Sequence, residues 1–198
     1  MARPARFTTD DVLDGAARAL AVVGPSVTIA DIAREIEGPS GSIYHRFASR
    51  DELLGRLWIR SIRRFHEVLL EAMSLPDPWE AISASARCVP VFCRRHPAQA
   101  RSMLLFSRAR LLESGPASLR EDADGINDEI DAALVDLAER AYGDQGPQRR
   151  ALLSLATRQT PYGITRPFIG GEMPPWLDEA VVAAALAIAR LDPAEHES

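Results

Sequence analysis

The sequence of 198 residues contains no lysine, only two cysteines and few aromatic residues, which make up 6% of the chain. All 23 of its strongly basic residues are arginine, a bias that we attribute to a GC-rich genome. Cys88 and Cys93 stand five apart on a predicted helix and face different directions, which predicts reduced thiols rather than a disulfide. With 46% apolar and 26% charged residues, the composition is that of a globular protein.

Long hydrophobic runs are also missing. The longest, residues 180–189, reaches about half the length of a bilayer span and lies between Glu179 and Arg190. The N-terminus lacks the apolar core of a signal peptide, so we expect a cytoplasmic protein. The net charge is -5, but residues 1–66 hold ten arginines against eight acids and the remainder thirteen against twenty. This asymmetry predicts local binding of a polyanion by the N-terminal end.

Helical periodicity runs through the sequence, and no stretch alternates polar and apolar residues as a strand would. Three helix starts share a capping-box spacing, a Thr or Ser followed three residues later by an acid: Thr8 with Asp11, Thr28 with Asp31, and Ser49 with Glu52. The first predicted helix ends at Gly24, and the fourth runs towards Met73. Between the last two starts, a short helix is predicted from Pro39 to about Arg46.

Two short helices joined by a tight turn and flanked by longer ones make a helix-turn-helix arrangement, whose second short helix enters the major groove of DNA. Tyr44, His45 and Arg46 would lie along the edge of that helix, within reach of phosphates or base edges. Arg50, in the first turn of the next helix, is placed for a phosphate. Taken singly, Tyr44 could equally be a half-buried aromatic and His45 a solvated surface residue; the spacing of the whole stretch favours DNA.

Residues 7–58 resemble the N-terminal signature of the TetR family of bacterial transcriptional regulators, and its most specific part is TIADIA, a turn and GSIYHRFASRDELL. The resemblance implies an all-α protein with a three-helix DNA-binding head, residues 1–50, and a ligand-binding and dimerisation body, residues 51–198. A long fourth helix, residues 49–73, would connect them. It further implies a homodimer on near-palindromic double-stranded DNA, acting as a repressor that a small-molecule effector releases. No metal, cofactor or membrane partner is expected.

By position, Thr28 resembles the family's phosphate-contacting cap, Tyr44 and His45 its aromatic contacts, and Arg50 its backbone-gripping cation. The candidate DNA-binding residues are Thr28, Ser40, Gly41, Ser42, Tyr44, His45, Arg46 and Arg50. Two heads in a dimer should lie about 34–36 Å apart, one turn of DNA.

The turn before the recognition helix departs from the family pattern, which usually has glycine where this chain has Glu37. We expect Gly38 to supply the left-handed cap one residue late and Pro39 to start the next helix, shifting or rotating it slightly. Ser40 and Ala30 also replace residues that are often basic, which predicts a modest salt dependence of DNA binding.

The N-terminal arm could compensate for those missing cations through Arg3 and Arg6. A disordered tail is the equal alternative for this segment.

Five helices are predicted in the body, over residues 77–97, 98–115, 118–143, 149–171 and 174–191. Kinks expected at Pro90 and at Pro161 with Gly163 would hold facing helices apart. The candidate effector-binding residues, each of which could instead be ordinary core, are Trp79, Phe92, Met103, Phe106, Arg158, Gln159, Thr160, Tyr162, Phe168 and Trp176. Their composition predicts a hydrophobic or amphipathic ligand.

The last helix has a broad apolar face, which we expect one small chain to leave partly uncovered. The candidate dimer-interface residues are Val181, Val182, Ala185, Ile188 and Ala189. A helix buried within its own chain is the alternative.

Enzyme signatures are absent from the sequence: there is no phosphate-binding glycine loop, metal-binding histidine pair or serine elbow. Cys93 and His96 could form a metal or thiolate pair, but a packed thiol beside a surface imidazole is favoured. We therefore expect a regulator rather than an enzyme. Two alternatives stay open: a DNA-binding architectural protein that responds to no effector, and a helical enzyme acting on a small molecule.

Overall fold

The computed structural model describes residues 7–191, and within that range all regular secondary structure is helical. The α-helices there are α1 (Thr9–Val23), α2 (Ile29–Glu35), α3 (Ser40–Tyr44), α4 (Arg50–Met73), α5 (Pro78–Arg95), α6 (Pro97–Met103), α7 (Arg108–Ser114), α8 (Arg120–Asp124), α9 (Asp128–Tyr142), α10 (Pro147–Ser154), α11 (Thr160–Thr165) and α12 (Leu177–Ala189). The all-α class predicted from the sequence is confirmed. No helix in the described range is long and apolar enough to span a bilayer.

Local hydrogen bonds start the first two helices as the sequence predicts. The Thr8 hydroxyl accepts the N–H of Asp11 at 3.1 Å, and the Asp11 carboxylate accepts the N–H of Thr8 at 2.7 Å. Thr28 and Asp31 make the same reciprocal pair at 3.2 and 2.9 Å. The Thr8 N–H lowers the pKa of Asp11, and the Thr28 hydroxyl lowers that of Asp31, because both bonds favour the ionised acid.

The third predicted box, at the start of α4, forms only in part. The Ser49 hydroxyl accepts the N–H of Glu52 at 3.0 Å, as expected. The Glu52 carboxylate, however, accepts the N–H of Ala48 at 2.8 Å, one residue earlier than the box requires. The start of α4 is therefore capped, with its acid bonded one residue earlier along the chain.

The chain forms two compact units, and their boundaries differ from the one predicted after residue 50. Unit 1 consists of Met1–Arg63 with Pro97–Ile126, and unit 2 of Arg64–His96 with Asn127–Ser198. Segment 97–126 belongs to unit 1 because it packs on the start of α4. Trp58 donates its ring N–H to the Met103 carbonyl at 3.2 Å, and a Cβ at Gly55 would lie only 2.3 Å from Leu119.

Two predicted body helices are interrupted. The helix expected over residues 98–115 breaks after Met103, and the Ser107 hydroxyl then caps α7 by accepting the N–H of Arg110 at 3.2 Å. The helix expected over residues 118–143 is divided by a 3-10 turn, Gly125–Asn127, between α8 and α9. Its predicted end is correct, because Gly143 adopts a left-handed conformation there.

Unit 2 is built around α12, which packs mainly on α5 and α11. Pro90 lies buried inside α5, which runs on to Arg95. A π-helical turn, Leu155–Gln159, precedes α11 at the place where the sequence predicts an irregularity. Pro161 offers no N–H to the helix, so a wider turn just before it accommodates the missing hydrogen bond.

The turn between α2 and α3 differs from the prediction. Glu37, not Gly38, is left-handed, with a φ of 49°. The N–H of Gly38 bonds to the Ala33 carbonyl at 3.0 Å and that of Glu37 to the Arg34 carbonyl at 3.2 Å, which is a Schellman turn with a glutamate in the position that glycine favours.

Gly38 is needed for space instead. A Cβ at Gly38 would lie 2.7 Å from the ring of Phe7, closer than real contacts allow. Pro39 is extended, with a ψ of 141°, and stands before α3 rather than as its first residue. Helix α3 therefore begins at Ser40 and is only five residues long.

We predict that Glu37→Gly stabilises the protein by about 1 kcal/mol, since glycine adopts the left-handed conformation without the steric cost that glutamate has. The midpoint of thermal unfolding should rise by about 2–4 °C. Glu37→Ala is the matched control, because it removes the carboxylate but keeps a Cβ. An equal gain in both variants would mean that charge, and not backbone conformation, limits stability here.

Candidate nucleic-acid interface

Helix α3 has one buried side and one exposed side. Ile43 is fully buried and Phe47, just beyond the helix, is 1% exposed. Gly41, Tyr44 and His45 are exposed, and Tyr44 presents 56% of its surface. Residues three and four apart share a helix face, so these three form one continuous surface. We call Gly41, Tyr44 and His45 the α3 face.

The smaller polar candidates border this surface or cap a neighbouring helix. Ser40 and Ser42 are half-buried, on either side of Gly41. Thr28 is exposed at the start of α2, where its hydroxyl donates to the Asp31 carboxylate at 2.6 Å. The Thr28 hydroxyl is therefore already occupied in capping its own helix.

Arg46, predicted as a DNA contact, holds its own unit together. Its guanidinium donates to the Ser42 carbonyl at 2.8 Å and also to the carbonyl of Phe7. The side chain thereby ties the start of α1 to α3. Its charge stays close to the α3 face, but its donors point into the protein.

Arg50, also predicted as a DNA contact, likewise donates to carbonyls of its own unit. Its Nε donates to the Val27 carbonyl at 2.6 Å and its Nη2 to the Pro25 carbonyl at 2.6 Å. Its remaining terminal nitrogen lies 3.2 Å from Asp51. A guanidinium matches two carbonyl oxygens with its planar set of donors, so Arg50 fixes the loop between α1 and α2.

The sequence prediction missed an exposed cation on the neighbouring helix α2. Arg34, in the last turn of α2, exposes 75% of its side chain and pairs with Asp31 at 3.2 Å. An exposed pair of this kind contributes little to stability, so the arginine can exchange Asp31 for a phosphate. The sequence feature that could have indicated Arg34 is a basic residue in the helix that precedes α3.

Another part of unit 1 is acidic. A hollow of about 420 Å³ is lined by Phe7, Asp11, Asp14, Arg18, Glu35, Ile36 and Glu37. Four of these residues are acids and one is an arginine, which pairs with Glu35 at 3.3 Å. Its negative potential disfavours phosphates, so this hollow is not a surface for DNA.

The effector candidates do not form one group. Met103 and Phe106 belong to unit 1, whereas Trp79, Phe92, Arg158, Gln159, Thr160, Tyr162, Phe168 and Trp176 belong to unit 2. Phe106 packs against both apolar clusters of unit 1. These two were wrongly assigned to the body, because the segment that carries them packs on the head.

Within unit 2 the aromatic candidates meet other aromatics. Phe92 is buried edge-on against Phe65, with centroids 5.4 Å apart, and Phe168 lies 5.8 Å from Trp176. Trp176 is 58% exposed. Most of these rings contribute to the core or its rim.

The polar candidates of unit 2 gather around Ser154. Arg158 and Gln159 both donate to its hydroxyl, at 2.9 and 3.2 Å. Burial lowers the pKa of Arg158, while Asp131, 3.5 Å away, opposes that effect. Arg158 is thus a half-buried cation on the π-helical turn.

Three of the five dimer candidates are corrected by the structure. Val181, Ala185 and Ala189 are fully buried within the single chain, because their four-residue spacing faces the core of unit 2. Val182 and Ile188 are only half-buried. The outer face of α12 is therefore a different stripe from the one predicted.

The two thiols are free and buried, as expected. Burial raises the pKa of Cys88 to about 12 and that of Cys93 to about 11. Both are protonated at neutral pH, so neither is poised as a nucleophilic thiolate. His96 lies against the ring of Phe92, with centroids 4.9 Å apart.

Comparison with known proteins identifies the N-terminal part. Residues 12–57 match the family model for bacterial regulatory proteins of the tetR family. No curated protein sequence matches significantly. Solved structures match over nearly the whole chain at 14–20% sequence identity, so these matches show the fold alone.

A transcriptional regulator from Rhodococcus sp. Rha1 is 18% identical, covers 92% of this chain and 96% of its own, and has a TM-score of 0.73. PfmR, a TetR-family transcriptional regulator from Thermus thermophilus, is 18% identical over 94% and 98%, with a TM-score of 0.67. FadR from Bacillus subtilis, solved in complex with stearoyl-CoA, is 15% identical over 91% and 98%, with a TM-score of 0.66.

Proposed function

Because residues 12–57 match the DNA-binding model of the tetR family and the chain shares the fold of solved TetR-family regulators, we propose that it is a TetR-family transcriptional repressor. It binds an operator as a homodimer in the bacterial cytoplasm and leaves it when a small molecule occupies unit 2. The observation that carries the proposal is the exposed α3 face on a helix whose other side is buried.

The α3 face enters the major groove, where Tyr44 and His45 meet base edges or phosphates. Helix α3 contains no charged residue, and Arg46 and Arg50 bond to carbonyls of unit 1. DNA binding should therefore depend on few ion pairs, with Arg34 as the exposed cation of the flanking helix. A low charge count goes with a shallow dependence of affinity on salt.

We predict that Tyr44→Ala weakens operator binding by at least about 1 kcal/mol, because it removes the largest side chain of the α3 face. Affinity is measured by titration of an operator duplex selected by the wild-type protein from random DNA. Thermal stability and oligomeric state should be unchanged. Trp176→Ala is the control, since it removes an exposed aromatic of unit 2. Unchanged affinity in Tyr44→Ala would mean that another element lies in the groove.

The partner in the dimer is a second copy of this chain, docked on the outer face of α12. That face carries Ala183 and Ala187, both exposed, with half-buried Val182, Leu186 and Ile188 beside them. From Ala180 to Ala189 no charged residue interrupts the helix. Small side chains let two such helices approach closely, and burying their apolar surface drives the association.

We predict that Ala187→Glu converts the dimer to monomers, since it would bury two unpaired carboxylates at the symmetric contact. Sedimentation velocity measures the change, and operator affinity should fall because one head alone reads half a site. Ala132→Glu, an exposed alanine on α9, is the matched control. A dimer that survives Ala187→Glu would locate the interface elsewhere.

The effector is proposed to be hydrophobic, with a neutral polar group that unit 2 binds. Two fully buried hydroxyls support this, Ser85 on α5 and Thr165 on α11, which have no hydrogen-bond partner among the described residues. Other helical hydroxyls nearby do bond: Ser83 donates to the Trp79 carbonyl at 2.8 Å and Thr157 to the Leu153 carbonyl at 2.7 Å. An unpaired buried hydroxyl is costly, and a ligand that bonds to it recovers that cost.

Effector binding is tested with a panel of hydrophobic small molecules that includes stearoyl-CoA. A compound that raises the thermal midpoint should also release the operator, because it favours a form that binds DNA poorly. We expect Ser85→Ala with Thr165→Val to weaken its binding about fivefold or more, the worth of one or two hydrogen bonds. Ser83→Ala should have no effect. Compounds that bind without releasing DNA would contradict the effector role.

A further inference from the structure

We propose that Gly41 is a specificity position, at which the backbone of α3 approaches a base edge so closely that no side chain fits. The inference rests on the DNA-binding function proposed above and names the residue that makes the contact selective. It follows from the environments of the glycines that lie within α-helices.

Four glycines of the described chain lie inside α-helices: Gly15, Gly41, Gly55 and Gly163. Two of them are required by packing, since an added Cβ would lie 2.3 Å from Ile36 at Gly15 and 2.3 Å from Leu119 at Gly55. At Gly41 and Gly163, nothing lies within 4 Å of the added carbon. Neither of these two has a positive φ.

The fold therefore supplies no reason for glycine at position 41. Glycine is less favourable than alanine inside a helix, because more backbone freedom is lost on folding. Gly41 lies on the α3 face, so a base edge that approaches this face can occupy the free space, whereas Gly163 has the same free space in unit 2 and serves as the control. Close approach of backbone to a ligand is one of the established uses of glycine.

The shape of the α3 face indicates what fills that space. Tyr44 and His45 stand three and four residues further along the same face, so Gly41 forms a gap beside two rings. No residue from Ser40 to Tyr44 carries a charge that would hold a phosphate in the gap. The group that projects from a base edge into the major groove and prefers an apolar contact is the C5-methyl of thymine.

The experiment compares full-length wild-type protein with Gly41→Ala and Gly163→Ala, using a duplex that the wild type selects from random DNA and an unrelated duplex. We expect Gly41→Ala to bind the selected duplex about tenfold more weakly or worse, the effect of one mismatched base contact. Its affinity for the unrelated duplex should stay unchanged, since phosphate contacts supply that binding. Its thermal midpoint should equal or exceed that of the wild type, and Gly163→Ala should bind both duplexes normally.

A second arm replaces each thymine of the selected duplex by deoxyuridine, which removes only the methyl group. At one thymine in each half-site, the wild type should lose affinity while the penalty of Gly41→Ala becomes smaller. If no replacement reduces that penalty, the methyl assignment is wrong.

Normal binding of the selected duplex by Gly41→Ala would overturn the inference. So would an equal loss on both duplexes, because that loss would place Gly41 at the DNA backbone. A wild-type protein that selects no sequence at all would instead overturn the proposed function itself.

Discussion

The candidate interface depends on packing that holds a helix too short to be stable alone. Helix α3 has five residues, fewer than two turns, and an isolated helix of that length does not persist in water. Burial of Ile43 and Phe47 in the core of unit 1 fixes it, and Arg46 ties it to the carbonyl of Phe7. Only because one side is held in this way does the other side present a constant surface.

The parts of the fold that the sequence predicts well are those decided by neighbours in the chain. A capping box joins residues three apart, so Thr8 and Thr28 mark helix starts without knowledge of the rest of the structure. The family pattern likewise places α2, the turn and α3 in order. The exposed α3 face follows from the same local spacing, because Ile43 and Phe47 anchor the opposite side of the helix in the core.

The parts that the sequence does not predict are decided by residues far apart in the chain. Gly38 looks like a turn glycine, but the ring of Phe7 determines its role, and Glu37 takes the strained conformation instead. Arg46 and Arg50 look like phosphate contacts, because an arginine carries no local sign of whether its donors face carbonyls or solvent. The break before Ser107 and the burial of Val181 also depend on distant neighbours.

The order of the two units along the chain matters for protein engineering. Unit 1 is discontinuous in sequence, because it contains residues 97–126, which follow a segment that belongs to unit 2. Truncation after residue 63 would strip Leu111 and Leu119 from Trp58 and Ile59, leaving a fragment with an uncovered apolar surface. A hybrid protein that contains the N-terminal segment of unit 1 must therefore also contain residues 97–126, or supply apolar side chains of similar volume in their place.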